Sequence, residues 1–308
     1  MQKVLIIGGG RIGSMLKKAL VKSKPIIWDL DPKVSDSKKT LPEEVKNKDL
    51  IFICVPTMVV EEVLTQIKSN LKKDAIIISL SKGLNKKGQF TYEILNNVLV
   101  DQNYGILAGA LMAEEIKVEQ PTIGVLGLKD NKDFLKIKTV FADSPIHLIN
   151  SNDLKGLAIG GTLKNVYALF LGMVEELKFG DNLKAIFLTK AFREMKIIAQ
   201  SFGAKLNTIN SYSGLADLVV TAYSSNSHDL QTGKDIIKGN KNCDCEGLNT
   251  LKLLNKRIHP VKSSSGEEPK GLFNGVKNKN NLPILNALLS IIEENKNAKS
   301  TIKSLLPN

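Results

Sequence analysis

Residues 4–20, "VLIIGGGRIGSMLKKAL", decide the fold. Four apolar β-formers run into three consecutive glycines, and an amphipathic helical pattern begins directly after them. Gly8, Gly10 and Gly13 satisfy G-x-G-x-x-G, a weak signal alone but a specific one between a buried strand and a helix. Gly8 permits the tight turn, Gly10 lets a pyrophosphate approach the backbone, and Gly13 lets helix and strand pack closely. The helix opens at Arg11 and Ile12 and offers N–H groups and partial positive charge to an anion. The expectation is a dinucleotide held at Gly8, Gly10, Arg11, Ile12 and Gly13; the competing explanation is a glycine turn with no ligand.

The next apolar run ends "PIIWDLDP" (25–32). An acidic residue about 20 positions beyond the glycines suits the adenosine ribose hydroxyls. Asp29 is the first candidate and Asp31 the alternate. A carboxylate there repels a 2′-phosphate, so NAD(H) is favoured over NADP(H). Trp28 and Leu30 are read as packing.

Outward from this unit, short apolar runs alternate with helical patterns. Strands are expected at 3–7, 25–29, 50–55, 75–79, 105–108, 122–127 and 145–149, with amphipathic stretches such as "MVVEEVLTQIKSNL" and "QFTYEILNNVLV" between them. Continuously apolar strands separated by helices imply a mostly parallel sheet covered on both faces, a doubly wound α/β domain. The pattern changes at "NSNDL" (150–154), after which long helical stretches follow and no strand is expected. The boundary is therefore placed near 150, giving a dinucleotide-binding domain at 1–150 and an all-helical domain at 151–308. Residues 261–281, polar and rich in Gly, Ser and Asn, are expected to form a mobile loop.

Composition narrows the function. The 308 residues are 43% hydrophobic and 24% charged, as in an ordinary globular protein. No apolar run approaches the roughly 20 residues that span a bilayer, and the chain enters a strand pattern without a signal segment, so a cytoplasmic protein without membrane association is expected. The net charge of +12 comes almost wholly from scattered lysines, with Arg11, Arg193 and Arg257 the only arginines and aromatics at 5%. That distribution describes solvated faces and anionic small molecules better than nucleic acid. Cys54 lies in an apolar run and reads as a buried small hydrophobe. Cys243 and Cys245 form C-x-C, which lacks zinc spacing and a second ligand pair, so no metal site is expected.

Three segments carry groups able to move a proton near a nicotinamide. "IISLSKGL" ends a strand with Lys82, at the carboxyl edge where doubly wound sheets bind ligands. "IGGTLKNVYALFLGM" sets Lys164 and Asn165 in an otherwise apolar helix. "SGLADLVVTA" sets Asp217 and Thr221 at i, i+4, on one helix face. A lone lysine on an apolar face is explained either by snorkelling or by use as a general acid held by Asp217.

The ordered motifs "GGGRIG", "FICVPT", "SLSKGL", "AGALMAEEI", "GGTLKNVYAL", "FGDNLKAIFLTKAFREM", "GLADLVVTA" and "CEGLNTLKLL" together resemble the bacterial-type NAD(P)-dependent glycerol-3-phosphate dehydrogenase family over nearly the whole chain. The resemblance implies a Rossmann-type domain, a helical C-terminal domain, a homodimer, and interconversion of dihydroxyacetone phosphate and sn-glycerol 3-phosphate. It places the proton donor/acceptor at Lys164, with Asp217 as partner and Thr221 close behind. Lys82 would meet both cofactor and substrate. Gly109 and Ala113 fall in the loop bordering nicotinamide and substrate, Asn165 beside the substrate, and Glu246 at the cofactor.

The chain also departs from the family. The loop that usually reads Gly-Pro-Ser-Phe-Ala is Gly109-Ala110-Leu111-Met112-Ala113 here, without the hydroxyl. The substrate-phosphate clamp, usually Ser-Arg-Asn, reads Ser227-His228-Asp229 in the polar run "TAYSSNSHDLQTG" (221–233), which looks like an exposed loop. Arginine grips phosphate with a planar, permanently charged fork. Histidine has no such fork, and the adjacent carboxylate repels phosphate. Two enzyme readings follow: a glycerol-3-phosphate dehydrogenase whose clamp is compensated by other lysines, or a dehydrogenase of the same fold acting on another, possibly non-phosphorylated, small hydroxy or keto compound. A catalytically inactive nucleotide-binding scaffold is the reading from another class, and the intact Lys164 and Asp217 argue against it.

Overall fold

The computed structural model describes residues 2–240, 243–258 and 281–307; the loop expected at 261–281 lies, except for residue 281, outside the described residues. Two compact units divide the chain, Met1–Asn85 with Gln89–Ala158, and Lys86–Gly88 with Ile159–Asn308.

The first unit is built on a seven-stranded sheet, β1 (Val4–Ile7), β2 (Ile26–Trp28), β3 (Leu50–Ile53), β4 (Ile76–Ser79), β5 (Asn103–Ala108), β6 (Thr122–Leu128) and β7 (Ile146–Ser151). The order is β2-β1-β3-β4-β5-β6-β7, and every pairing is parallel except β5 with β6. β1, β3 and β4 are buried at every position, which is why they read as unbroken apolar runs. The helices are α1 (Arg11–Ala19), α2 (Leu41–Val45), α3 (Thr57–Ile67), α4 (Thr91–Val98), α5 (Ala113–Lys117) and α6 (Phe134–Val140). A core of Val4, Ile6, Met15, Leu16, Phe52, Ile78 and Leu126 joins α1 to the sheet.

All seven expected strands are present, but β7 passes the expected boundary at 150. Its ladder with β6 continues to the pair Gly127–Ser151, and the units divide eight residues later, within the next helix.

The helices that follow are α7 (Leu154–Glu176), α8 (Asp181–Ser201), α9 (Leu206–Ile209), α10 (Asp217–Tyr223), α11 (His228–Ile237), α12 (Glu246–Ile258), α13 (Pro283–Ile292) and α14 (Ala298–Lys303). A stretch long and apolar enough to span a bilayer is present after all. α7 has 23 residues, an 18-residue window of mean hydropathy 1.4, and 94% of that window buried inside the protein. Lys155, Lys164 and Asn165 interrupt the run in sequence and hid it. A helix apolar on every side and enclosed by its neighbours is a core helix.

Glycines let other helices reach α7. A Cβ on Gly172 would stand 2.0 Å from the Leu230 carbonyl oxygen, and one on Gly233 would stand 2.0 Å from that of Leu169. α7 and α11 therefore touch backbone to backbone. Gly247 at the start of α12 meets the Asn165 carbonyl in the same way, 2.5 Å from where its Cβ would be.

Candidate active site

The glycine turn follows β1 on the carboxyl edge of the sheet, beside β3, where the strand order reverses. Gly8 has φ +98°, and a side chain there would meet the Cys54 carbonyl at 2.8 Å. A Cβ on Gly13 would lie 1.8 Å from the Gly8 oxygen, so the helix rests directly on the turn. At Gly10 no atom comes within 4 Å of a Cβ position. Close packing thus explains the first and third glycines, and the open approach at the second is the cradle a pyrophosphate requires. Gly10 provides no side-chain cap and the first turn of α1 contains no acidic residue, so its N–H groups suit an anion. Ile12 instead packs against the core.

Asp29 follows β2 and holds the turn. Its Oδ2 accepts from the Gly9 N–H at 2.6 Å and its Oδ1 from the Asp31 N–H at 2.9 Å. Each oxygen keeps a lone pair for a hydroxyl. Asp31 is exposed and caps Lys33 locally at 2.9 Å, which leaves Asp29 the better placed of the two. Leu30 is 87% exposed, so it is not the packing residue expected. Trp28 does pack, with its indole N–H donating to the Lys39 carbonyl at 2.9 Å. Cys54 is half-buried against the core, and burial pushes its thiol upward, as for an inert small side chain.

Lys82 and Gly109 meet at the ends of β4 and β5. The Lys82 ammonium donates to the Gly109 carbonyl at 3.3 Å. Gly109 has φ +124°, with the Ile123 oxygen 2.8 Å from its Cβ position. Leu111 is buried in the core and Ala113 opens α5, also buried. The hydroxyl lost from this loop has therefore been replaced by a core contact. Arg11 donates through Nε and Nη2 to Glu114 on α5, at 3.1 and 2.6 Å, a pairing the sequence reading missed.

In the second unit, Lys164 of α7 reaches α10. Its Nζ stands 2.8 Å from Thr221 Oγ1 and 3.2 Å from Asp217 Oδ1. The side chain of Lys164 is 11% exposed and that of Asp217 is 2% exposed. The Thr221 hydroxyl donates to the Asp217 carbonyl at 2.6 Å, so the lone pairs on its oxygen face Lys164. Snorkelling is thereby set aside: the ammonium turns inward onto two oxygens. A π-turn, Tyr212–Ala216, precedes Asp217. Such single turns often sit at functional positions. It passes Gly214 so near Ile209 that a Cβ would stand 2.1 Å from the Ile209 oxygen. Asn165 is buried next to Lys164.

The clamp segment is not a loop. Ser227 is the N-cap of α11, accepting from the Leu230 N–H at 3.3 Å, and His228 and Asp229 are its first helical residues. Instead of loop polarity, Ser227 as N-cap and Asp229 in the first turn are helix-start chemistry. His228 is exposed. Asp229 is buried, and its Oδ1 accepts from the Gly247 N–H at 2.7 Å, tying α11 to α12. Cys245 accepts through sulfur from the Leu248 N–H at 3.4 Å, and burial pushes its thiol up to about 12. Glu246, half-buried, is the first residue of α12.

Comparison with known proteins identifies the family. The sequence profile of the NAD-dependent glycerol-3-phosphate dehydrogenase N-terminus matches residues 29–134, and that of the C-terminus matches 153–303. The glycerol-3-phosphate dehydrogenase [NAD(P)+] of Fusobacterium nucleatum is 28% identical, over 99% of this chain and 97% of its own. That of Staphylococcus haemolyticus is 27% identical, over 99% and 98%. Among solved structures, glycerol-3-phosphate dehydrogenase of Coxiella burnetii superposes with a TM-score of 0.82 at 20% identity, covering 100% of this chain and 99% of its own. The Plasmodium falciparum enzyme gives 0.80 at 21% identity, covering 100% and 96%. Two matched profiles from one family, together spanning most of the sequence, place the chain in the NAD-dependent glycerol-3-phosphate dehydrogenase family.

Proposed function

We propose that the chain interconverts dihydroxyacetone phosphate and sn-glycerol 3-phosphate with NAD(H), using Lys164 as proton donor and acceptor. The observation that carries this is the inward-facing ammonium of Lys164, 2.8 Å from Thr221 Oγ1 and 3.2 Å from Asp217 Oδ1. Two of its three N–H groups have protein partners, which leaves a third for the substrate oxygen.

A nicotinamide held there would supply or take up the hydride at C2. In reduction Lys164 gives its proton to the C2 oxygen as charge develops there; in oxidation it takes the proton back. Asp217 holds the ammonium in place and offsets its charge where water is scarce. Thr221 fixes the rotamer. Lys82, next to Gly109, would bring a second cation to the substrate. The turn at Gly8, Gly10 and Gly13 would hold the pyrophosphate, with Asp29 on the ribose and Glu246 on the cofactor.

The preference for NAD over NADP rests on Asp29, anchored by two backbone N–H groups so that it cannot swing away from a 2′-phosphate. A cytoplasmic homodimer belongs to the same reading and is tested by light scattering. The alternative, a non-phosphorylated substrate, is favoured by the clamp segment: Ser227 is committed to a cap and Asp229 to Gly247, leaving His228 as the exposed member. NADH oxidation with dihydroxyacetone phosphate, set against a panel of non-phosphorylated keto compounds, decides between them. Turnover with the panel alone refutes the phosphate reading.

A further inference from the structure

α1 begins with a basic residue, and that is the wrong sign for its place. The N-terminus of a helix carries partial positive charge, and cations there are unfavourable unless an anion stands by. Arg11 is the first residue of α1, and the first turn holds no acid of its own. The anion present is Glu114, from the first turn of α5. Both Nε and Nη2 of Arg11 converge on the single oxygen Oε1, at 3.1 and 2.6 Å. A guanidinium on a carboxylate is strongest when two N–H groups meet two oxygens. Here the second oxygen, Oε2, is buried and accepts no hydrogen bond among the described residues. Burial raises the Glu114 carboxyl, yet the bond and charge of Arg11, with a backbone N–H and the charge of Lys117, together hold the group below the ordinary carboxylate range. The pair is half in water, with side chains 53% and 37% exposed, and such pairs are weak.

Arg11 directly follows Gly10, so its side chain springs from the helix start whose N–H groups suit a pyrophosphate. We infer that Glu114 and the cofactor pyrophosphate compete for Arg11: the guanidinium rests on the carboxylate in the free protein and passes to the pyrophosphate on binding. This rests on the dinucleotide reading above. Glu114 is thus a positioning residue that stores the cation beside the turn and lowers cofactor affinity by the strength of the pair it gives up.

The test is NADH binding without substrate, followed by energy transfer from Trp28, the only tryptophan of the chain. Glu114→Gln removes the charge and keeps the shape. An exchange against an exposed pair predicts roughly 3- to 10-fold tighter NADH binding, and a slightly lower Tm for the ligand-free protein. Arg11→Gln should weaken binding by a similar factor, and Glu114→Gln added to it should change little further. Equal tightening by Glu114→Gln in both backgrounds would mean plain charge repulsion and overturns the exchange, as does an unchanged or weaker affinity in the single variant. If the wild-type protein bound no NADH, the dinucleotide reading itself would fall, which is a different outcome from binding that is indifferent to Glu114.

Discussion

Replacing Lys164 by Met separates the lysine's chemical role from its structural one. Methionine removes the ammonium that faces Asp217, whose side chain is 2% exposed. Removing one partner of a buried pair costs about 3–5 kcal/mol, because the remaining charge has lost its compensation. Lys164→Met should therefore abolish turnover and lower the Tm by roughly 10 °C, for a helical unit of this size. Adding Asp217→Asn removes the stranded charge, so the double variant should regain most of the stability and none of the activity. Urea unfolding followed by circular dichroism gives the stability cycle, and NADH binding to each variant shows that the first unit is intact. A Lys164→Met protein within 1 kcal/mol of wild type would refute the reasoning: Asp217 would then not depend on Lys164, and the inward ammonium would be no fixed feature of the site.

Other perturbations follow from the same structure. Gly172→Ala places a Cβ 2.0 Å from the Leu230 backbone oxygen; since α11 must move to relieve it, a loss of about 3 kcal/mol is expected by urea unfolding, and a near-neutral result would disprove the backbone contact. Glu194 is buried and bonds the N–H groups of Ile284 and Leu285 at the start of α13, at 2.6 and 3.0 Å. Burial nevertheless raises its carboxyl from 4.5 to about 7. Because the folded state then binds the proton more tightly, its contribution is fully present below pH 4.5 and is lost as pH rises to about 7, a fall of about 3 kcal/mol. Glu194→Gln should flatten the pH dependence of stability across that window, and an unchanged slope excludes this residue as its source. His228→Arg restores a phosphate fork at an exposed helix start, so KM for dihydroxyacetone phosphate should drop about tenfold; a KM that does not move would show that the phosphate lies elsewhere.

What could be read from the sequence depended on the distance over which each residue acts. The glycine turn was legible because its chemistry is local: strand, turn and helix start lie within the same 17 residues, 4–20. Lys164 and Asp217 were legible for another reason, as a charge in an apolar helix and an acid placed i, i+4 from a threonine. The contacts that no local pattern shows act across the chain. Asp29 serves Gly9 from 20 positions away, Asp229 serves Gly247 from 18, Arg11 meets Glu114 from 103, and Glu194 caps α13 from 90. No periodicity records such pairs, because a buried carboxylate on an N–H leaves the same letters as an exposed one.

Asp229 shows what this costs a functional reading. Next to a histidine in a polar run it suggested a faulty phosphate clamp, and its charge counted against a phosphorylated substrate. Buried on the Gly247 N–H, it is a helix-to-helix tie whose charge is taken up by that N–H and by the start of α12. With Ser227 on its cap and Asp229 on Gly247, His228 is the exposed member of the clamp segment. An exposed residue at the first position of a ten-residue helix is a position where substitution alters what is bound without disturbing the fold. The substrate question narrows to that one side chain.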